Sequence, residues 1–313
     1  MREHSIGQYK VHTFEHPPHG FDPLTASASA LIQHGLPRRP DPVAEPGPSL
    51  LWVQTMRKYR DLGFQHVVPE FREHPEIVHG PNKQANSTTR GLVNATSANW
   101  SGSVLFTDPV KDPFTWITGQ WTVPNAYSPN PGDGKTYYSS AWLGIDGDGS
   151  TDVLQAGTAT EVTGGNSSVC YAWWEWYPAV SVKIANFPFI PGDAARLLIC
   201  STGPASAYFS YTNITSKRYT SFSVTAPIGT ALVGDCAEAV VERPGLGFYG
   251  ILAQLPRYGE NFFDETTAYT KSGASFDIGA GTTISMLADD GITIISTPEV
   301  VDTDAIRLFY SGA

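Results

Sequence analysis

From Asn99 onward the chain is a succession of short runs in which apolar and polar residues alternate, each closed by Gly, Pro, Asn or Asp. Alternation with a period of two is the pattern of half-buried strands. SGSVLF, FTWITGQWTV, YYSSAWLGI, DVLQAGTA, VCYAWWEWY, ARLLICS, AYFSYTNIT, YTSFSVTA, CAEAVVE, TTISMLA, GITIIST and AIRLFYS all read this way. So many strands with no helical pattern between them predict an all-β fold, a two-sheet β-sandwich or jelly roll. The alternation also sorts side chains by face. In VCYAWWEWY it sets Cys170, Ala172, Trp174 and Trp176 against Tyr171, Trp173, Glu175 and Tyr177, and in CAEAVVE it places Glu238, Val240 and Glu242 together.

Residues 1–95 have a different texture. They hold 11 of the 24 prolines, in runs such as HPPHG and GLPRRPDPVAEPGP that favour extended or turning backbone. One helix is predicted there, with Ser49 as N-cap, Leu51, Met56, Tyr59 and Leu62 on one face and Gly63 as its end. All eight histidines lie at or before His79. Charge divides at the same place: residues 1–95 carry a net +1 and residues 96–313 a net −11, making up the chain's −10. Two units are therefore expected, an N-terminal segment over residues 1–95 and a β domain over 96–313.

The acidic balance lacks the basic footprint that phosphate backbones require, so no nucleic-acid partner is expected. No run reaches the length of a membrane span, and MREHSIGQYK lacks the apolar core of a secretory signal. Cys170, Cys200 and Cys236 are odd in number and form no C-x-x-C pair, which permits one disulfide and demands none. GIDGDG has acidic residues at calcium-loop spacing, but Thr151 and Gly157 stand where such a loop needs Gly and Glu. It reads as a tight turn, and neither a metal nor a cofactor is expected. GLGFYG precedes no helix and reads as a turn as well.

The histidine distribution excludes a Ser-His-Asp or Cys-His centre within the β domain unless the leader reaches into it. What remains is carboxylate chemistry among tryptophans, seven of eight of which lie between Trp100 and Trp176. Glu175, framed by rings, should line a groove or hold a hydrogen-bond network. Glu238 and Glu242 share a face, and the alternation does not choose between them. Gln155 is a polar amide inside an apolar strand.

In order along the chain, NWSG (99–102), the W-x-V-P of Trp121 to Pro124, AWLGIDGDG, the LQ-x-G of Leu154 to Gly157, AWWEWYP and AEAVVE resemble the motifs of the glutamic peptidases, or eqolisins. The resemblance implies a concanavalin-like β-sandwich that cleaves peptide bonds in acid with a Gln and Glu pair. It carries those roles to Gln155 and Glu242, and substrate binding to Trp100, Asp146, Trp173, Glu175, Tyr177 and Glu238. It implies protein or peptide substrates, a monomer without cofactor, a secreted or otherwise acidic location, and a propeptide over residues 1–95. Thr158-Ala159 departs from the family's aromatic-Asp, leaving Glu161 as a candidate replacement. Ala239 replaces a ring, and Arg243-Pro244 replaces Asp plus an aromatic, so that Arg243 either lowers the Glu242 pKa or faces away. The competing readings are a jelly-roll glycoside hydrolase using Glu175 and Glu242, and a carbohydrate-binding module.

Overall fold

The computed structural model describes residues 1–84, 95–164, 167–247 and 250–312. The leader contributes β1 (Arg2–Ile6), β2 (Tyr9–Thr13), α1 (Ala28–Gln33), α2 (Pro46–Leu62), β3 (Gln65–His66), β4 (Phe71–Glu73) and β5 (Ile77–Val78). The remainder is almost wholly β. It comprises β6 (Ala95–Ser97), β7 (Trp100–Phe106), β8 (Phe114–Thr122), β9 (Thr136–Ile145), β10 (Val153–Thr163), β11 (Ser167–Tyr177), β12 (Val182–Phe189), β13 (Ala194–Gly203), β14 (Ser206–Asn213) and β15 (Arg218–Thr225). These are followed by β16 (Cys236–Glu242), β17 (Gly245–Leu246), β18 (Ile251–Leu252), β19 (Glu260–Thr270), β20 (Ser275–Asp277), β21 (Thr282–Leu287), β22 (Ile294–Asp302) and β23 (Ala305–Tyr310).

Hydrogen bonding runs β12-β11-β10-β9-β16-β7-β21 through one antiparallel layer and β19-β8-β13-β14-β15-β2 through the other. The chain passes between them through β22 and β23. Leu143, Ala156, Trp174, Trp176 and Ala239 of the first layer pack against Ile117, Leu197, Phe209 and Phe222 of the second, and this contact is the sandwich core. Trp100, Trp142, Val153, Tyr171, Trp173 and Val240 form a second cluster on the opposite face of the first layer. The two face sets expected in VCYAWWEWY are thus the ones observed.

Glycine sets the floor of that outer face. A Cβ on Gly157 would collide with the Ala141 carbonyl and with Trp142 Cβ, which no side-chain rotation relieves. Gly157→Ala is expected to destabilise the chain by about 2 kcal/mol, read as a lower urea midpoint at unchanged m-value.

The leader wraps the sandwich. β2 adds to the edge of the second layer through β15, and Tyr9 packs its ring on Trp174 with centroids 4.5 Å apart. α2 buries Trp52 and Met56 beside Leu31, Leu36 and Tyr219, and Tyr59 Oη lies 2.7 Å from Thr212 Oγ1. α2 begins at Pro46, not after Ser49, because proline is favourable in a first turn whose N–H groups have no partner anyway. Its end at Gly63, in the left-handed conformation, is as expected. β4 then pairs with β12, and the chain crosses onto the outer face of the first layer.

Cys170, Cys200 and Cys236 are buried thiols without a disulfide. Of the five N-x-S/T sequences, Asn86, Asn94 and Asn166 lie outside the described residues. Asn99 and Asn213 are buried with their amides bonded to Pro81 O and Asp193 Oδ2, which leaves no room for a glycan there.

Candidate active site

The outer face of β11, β10, β9 and β16 places the side chains of Glu175, Gln155, Trp142 and Glu242 around one point, and residues 79 and 80 of the leader occupy it. Alternation puts Glu175 beside Trp173, and the register sets Gln155 opposite Glu175. Glu242 enters from two strands away, opposite Trp100 on β7 and Ser140 on β9. All three side chains are fully buried beneath the leader.

The bonds are specific. Gln155 Nε2 donates to the His79 carbonyl at 2.5 Å. The Gly80 N–H donates to Glu242 Oε1 at 3.2 Å, and the His79 N–H donates to Glu175 Oε2 at 3.1 Å. Glu242 Oε2 accepts from Trp142 Nε1 and lies 3.0 Å from His79 Nδ1. Trp100 Nε1 donates to the Gly80 carbonyl. The His79 imidazole stacks on Trp173 with centroids 3.4 Å apart and planes 13° from parallel. A Cβ on Gly80 would lie 3.7 Å from the Tyr177 ring.

Burial dominates the electrostatics. It raises the Glu242 carboxyl well above its ordinary value, against the Gly80 and Trp142 donors that favour the charged form. Glu175 is raised by burial too, opposed by the His79 N–H and reinforced by the charge of Glu242. Burial drives His79 the other way, well below 6.5. All three shifts favour the neutral forms.

Six of the eight residues singled out from the sequence therefore converge: Gln155 and Glu242 with Trp100, Trp173, Glu175 and Tyr177. The other two do not meet residues 79–80. The Asp146 carboxylate accepts the backbone N–H groups of Val233, Gly234 and Asp235, holding the loop before β16, and burial raises its pKa to about 7. Glu238 lies opposite Gly144, buried near Asp146, with its pKa raised well above the ordinary value by burial and then by that neighbour. Glu161 pairs with Lys183 and does not substitute for the missing acidic contact. Arg243 faces away, bonding the Ala253 and Leu287 carbonyls and Asp289. Among the described residues no group of three or more His, Cys, Asp or Glu side chains is placed to hold a metal, and no helix is long and apolar enough to cross a membrane.

Three participants were not singled out beforehand. Trp142 lies within AWLGIDGDG and Asn99 within NWSG, and Asn99 Nδ2 donates to the Pro81 carbonyl. His79 is the third. The condition under which a histidine could enter the β domain, a leader that reaches in, is met.

The pattern of the family described as peptidase A4 matches residues 98–308. Aspergillopepsin-2 of Aspergillus niger is 27% identical over 252 residues, spanning 75% of this chain and 86% of its own. Scytalido-glutamic peptidase, solved with a transition state analog inhibitor, superposes with a TM-score of 0.59 at 22% identity, covering 68% of this chain and 98% of that one. The eqolisin SCP-B, solved with the tripeptide Ala-Ile-His, gives 0.56 at 20% identity with the same coverages. The structural likeness carries the β-sandwich fold.

Proposed function

The chain belongs to the peptidase A4 family and is a glutamic endopeptidase, and from that premise we propose that it hydrolyses peptide bonds in acid by the paired action of Glu242 and Gln155. Glu242 in its ionised form takes a proton from the attacking water and returns it to the leaving nitrogen. Gln155 donates its amide N–H to the oxygen on which negative charge develops. A neutral donor suits a buried site because it brings no charge to desolvate. A glutamate base works at a pH where a histidine would already be protonated.

The observation that carries this reading is the peptide held between the two side chains. Its carbonyl oxygen lies on Gln155 and its N–H on Glu242, the two polarities that hydrolysis of an amide needs. The neighbour solved with Ala-Ile-His holds two aliphatic residues followed by histidine, the same pattern as Ile77-Val78-His79. Glu175, Trp173, Trp100 and Tyr177 would bind the extended substrate. On this reading residues 1 to about 80 are a propeptide that fills the cleft, and Asp146 and Glu238 are supports of the loop and floor.

Paired incubations at about pH 4, one with a denatured protein and one with a β-glucan, test the substrate class. New peptides with unchanged polysaccharide are expected. New reducing ends with intact protein would favour the glycoside hydrolase reading, in which Glu175 and Glu242 are the working pair.

A further inference from the structure

We propose that the leader lies in the cleft as a registered substrate, and that the bond set for hydrolysis is His79–Gly80, so that the enzyme processes itself to begin at Gly80. The inference rests on the Gln155–Glu242 reading and adds to it the site of cleavage and the ring-accepting subsite beside it.

Register is fixed from both sides of this bond. Upstream, Ile77 and Val78 pair antiparallel with Leu246 and Gly245, adding a strand to an existing edge. Downstream, the Asn82 N–H donates to the Gly147 carbonyl and the Lys83 N–H to Asn99 Oδ1. A slip of one residue would break both sets and turn each side chain to the opposite face. Between these anchors the His79 N–H and C=O and the Gly80 N–H and C=O all bond cleft side chains. Among the described leader residues, His79–Gly80 is the peptide whose carbonyl meets Gln155 while its N–H meets Glu242.

The residue supplying that carbonyl has a distinct subsite. Its imidazole lies flat on Trp173, a surface that selects planar rings. The position after it admits a Cβ, which at Gly80 would lie at ordinary contact distance from the Tyr177 ring.

Hydrolysis of this bond balances with one water. As the imidazole leaves Glu242 Oε2 it carries off that carboxyl's proton, so Glu242 is left ionised and a water takes the vacated place. Its oxygen attacks the His79 carbonyl carbon as Glu242 accepts its proton, and the electron pair moved onto the carbonyl oxygen is held by Gln155. Collapse breaks the C–N bond, and Glu242 returns the proton to the Gly80 nitrogen. The products are a carboxyl terminus at His79 and an amino terminus at Gly80. Asn82, Lys83 and Gln84, whose Nε2 bonds Asp148 Oδ1, stay pinned to the sandwich, so residues 1–79 are the part that departs.

The full chain, held at about pH 4 and sampled over time, should yield a large fragment whose N-terminal residue is Gly80. The half-time should not change with chain concentration, because the bond sits in its own cleft. The processed enzyme should cut the peptide HPEIVHGPNKQ only between His and Gly. Replacing that His by Ala should lower kcat/KM about tenfold, and Phe should hold it within about threefold. A processed enzyme that digests protein but starts elsewhere than Gly80, or a half-time that shortens with concentration, overturns the inference and leaves the endopeptidase reading standing. A folded chain that cuts neither itself nor any protein overturns both.

Discussion

Glu242→Gln is expected to lower kcat on a protein substrate by about a thousandfold at nearly unchanged KM. Glutamine keeps the volume and one acceptor oxygen, enough for either the Gly80 N–H or Trp142 Nε1, but cannot take the proton from water. Gln155→Ala should cost about a hundredfold to a thousandfold, the usual consequence of removing one oxyanion donor. The double variant should be little worse than Glu242→Gln alone, since the two groups serve one transition state. Steady-state kinetics, on variants whose leader has been removed by immobilised wild-type enzyme because they cannot process themselves, with thermal melts to show intact folding, measure this. A Glu242→Gln enzyme within tenfold of wild type would remove Glu242 from the chemistry.

The second large effect is the pH dependence of leader docking. Burial holds His66 and His74 at about 4 and His79 well below 6.5. His66 faces His16 and His34. His74 faces Lys183, Glu161, Glu76 and His79, and His79 faces Glu242 and Glu175. A depressed histidine stays neutral in the docked state where the released one binds a proton. Its contribution to docking is therefore complete above 6.5 and is lost as pH falls towards the docked value, by about tenfold per pH unit for each group. Glu175 and Glu242 act oppositely. Their raised values mean that docking retains protons the open cleft would release above 4.5, so above 4.5 they oppose the histidine effect. Below 4.5 that opposition ends, and release should steepen there. In a Gln155→Ala background, which keeps the leader uncut, the change in Trp173 emission on losing its stacked imidazole should follow this curve. Replacing His66, His74 and His79 by glutamine should flatten it. Equal docking at pH 7 and about pH 4 in the unaltered leader would contradict the assignment.

The fold was legible where one side of a strand faces water or a cleft and the other the core, because there the alternation is written into the residue types. All twelve runs read from the sequence lie in or across observed strands. β12 and β19 escaped for physical reasons. β12 carries Lys183, Asn186 and Pro188 at an edge that the leader covers through β4 and residues 68–70. β19 shifts register between Asp264 and Thr267, which breaks the period that a reader of the sequence counts.

The site was partly legible for the same reason. Alternation exposed Glu175, Glu238 and Glu242 as carboxylates on one face, and Gln155 as an amide out of place. The selection of Glu242 over Glu238 depends on which strands lie beside β16 and on where Trp142 and the leader come to rest. Those are contacts between residues roughly a hundred or more positions apart, and no local pattern encodes them. The route of the leader was equally hidden. A stretch rich in proline and histidine looks like a linker, yet several of its apolar residues, among them Tyr9, Trp52, Met56 and Ile77, are buried in the structure.

The most direct test of the account follows substrate and enzyme in the same lanes. The purified full chain is mixed with a denatured protein across a range from about pH 2 to 7, with pepstatin present, beside Gln155→Ala and Glu242→Ala. The account predicts that in acid the wild-type chain degrades the substrate while its own band shortens, and that both variants stay full length and leave the substrate whole. A folded wild-type chain that leaves the substrate intact at every pH, or a Glu242→Ala chain that degrades it as fast as wild type, would contradict it.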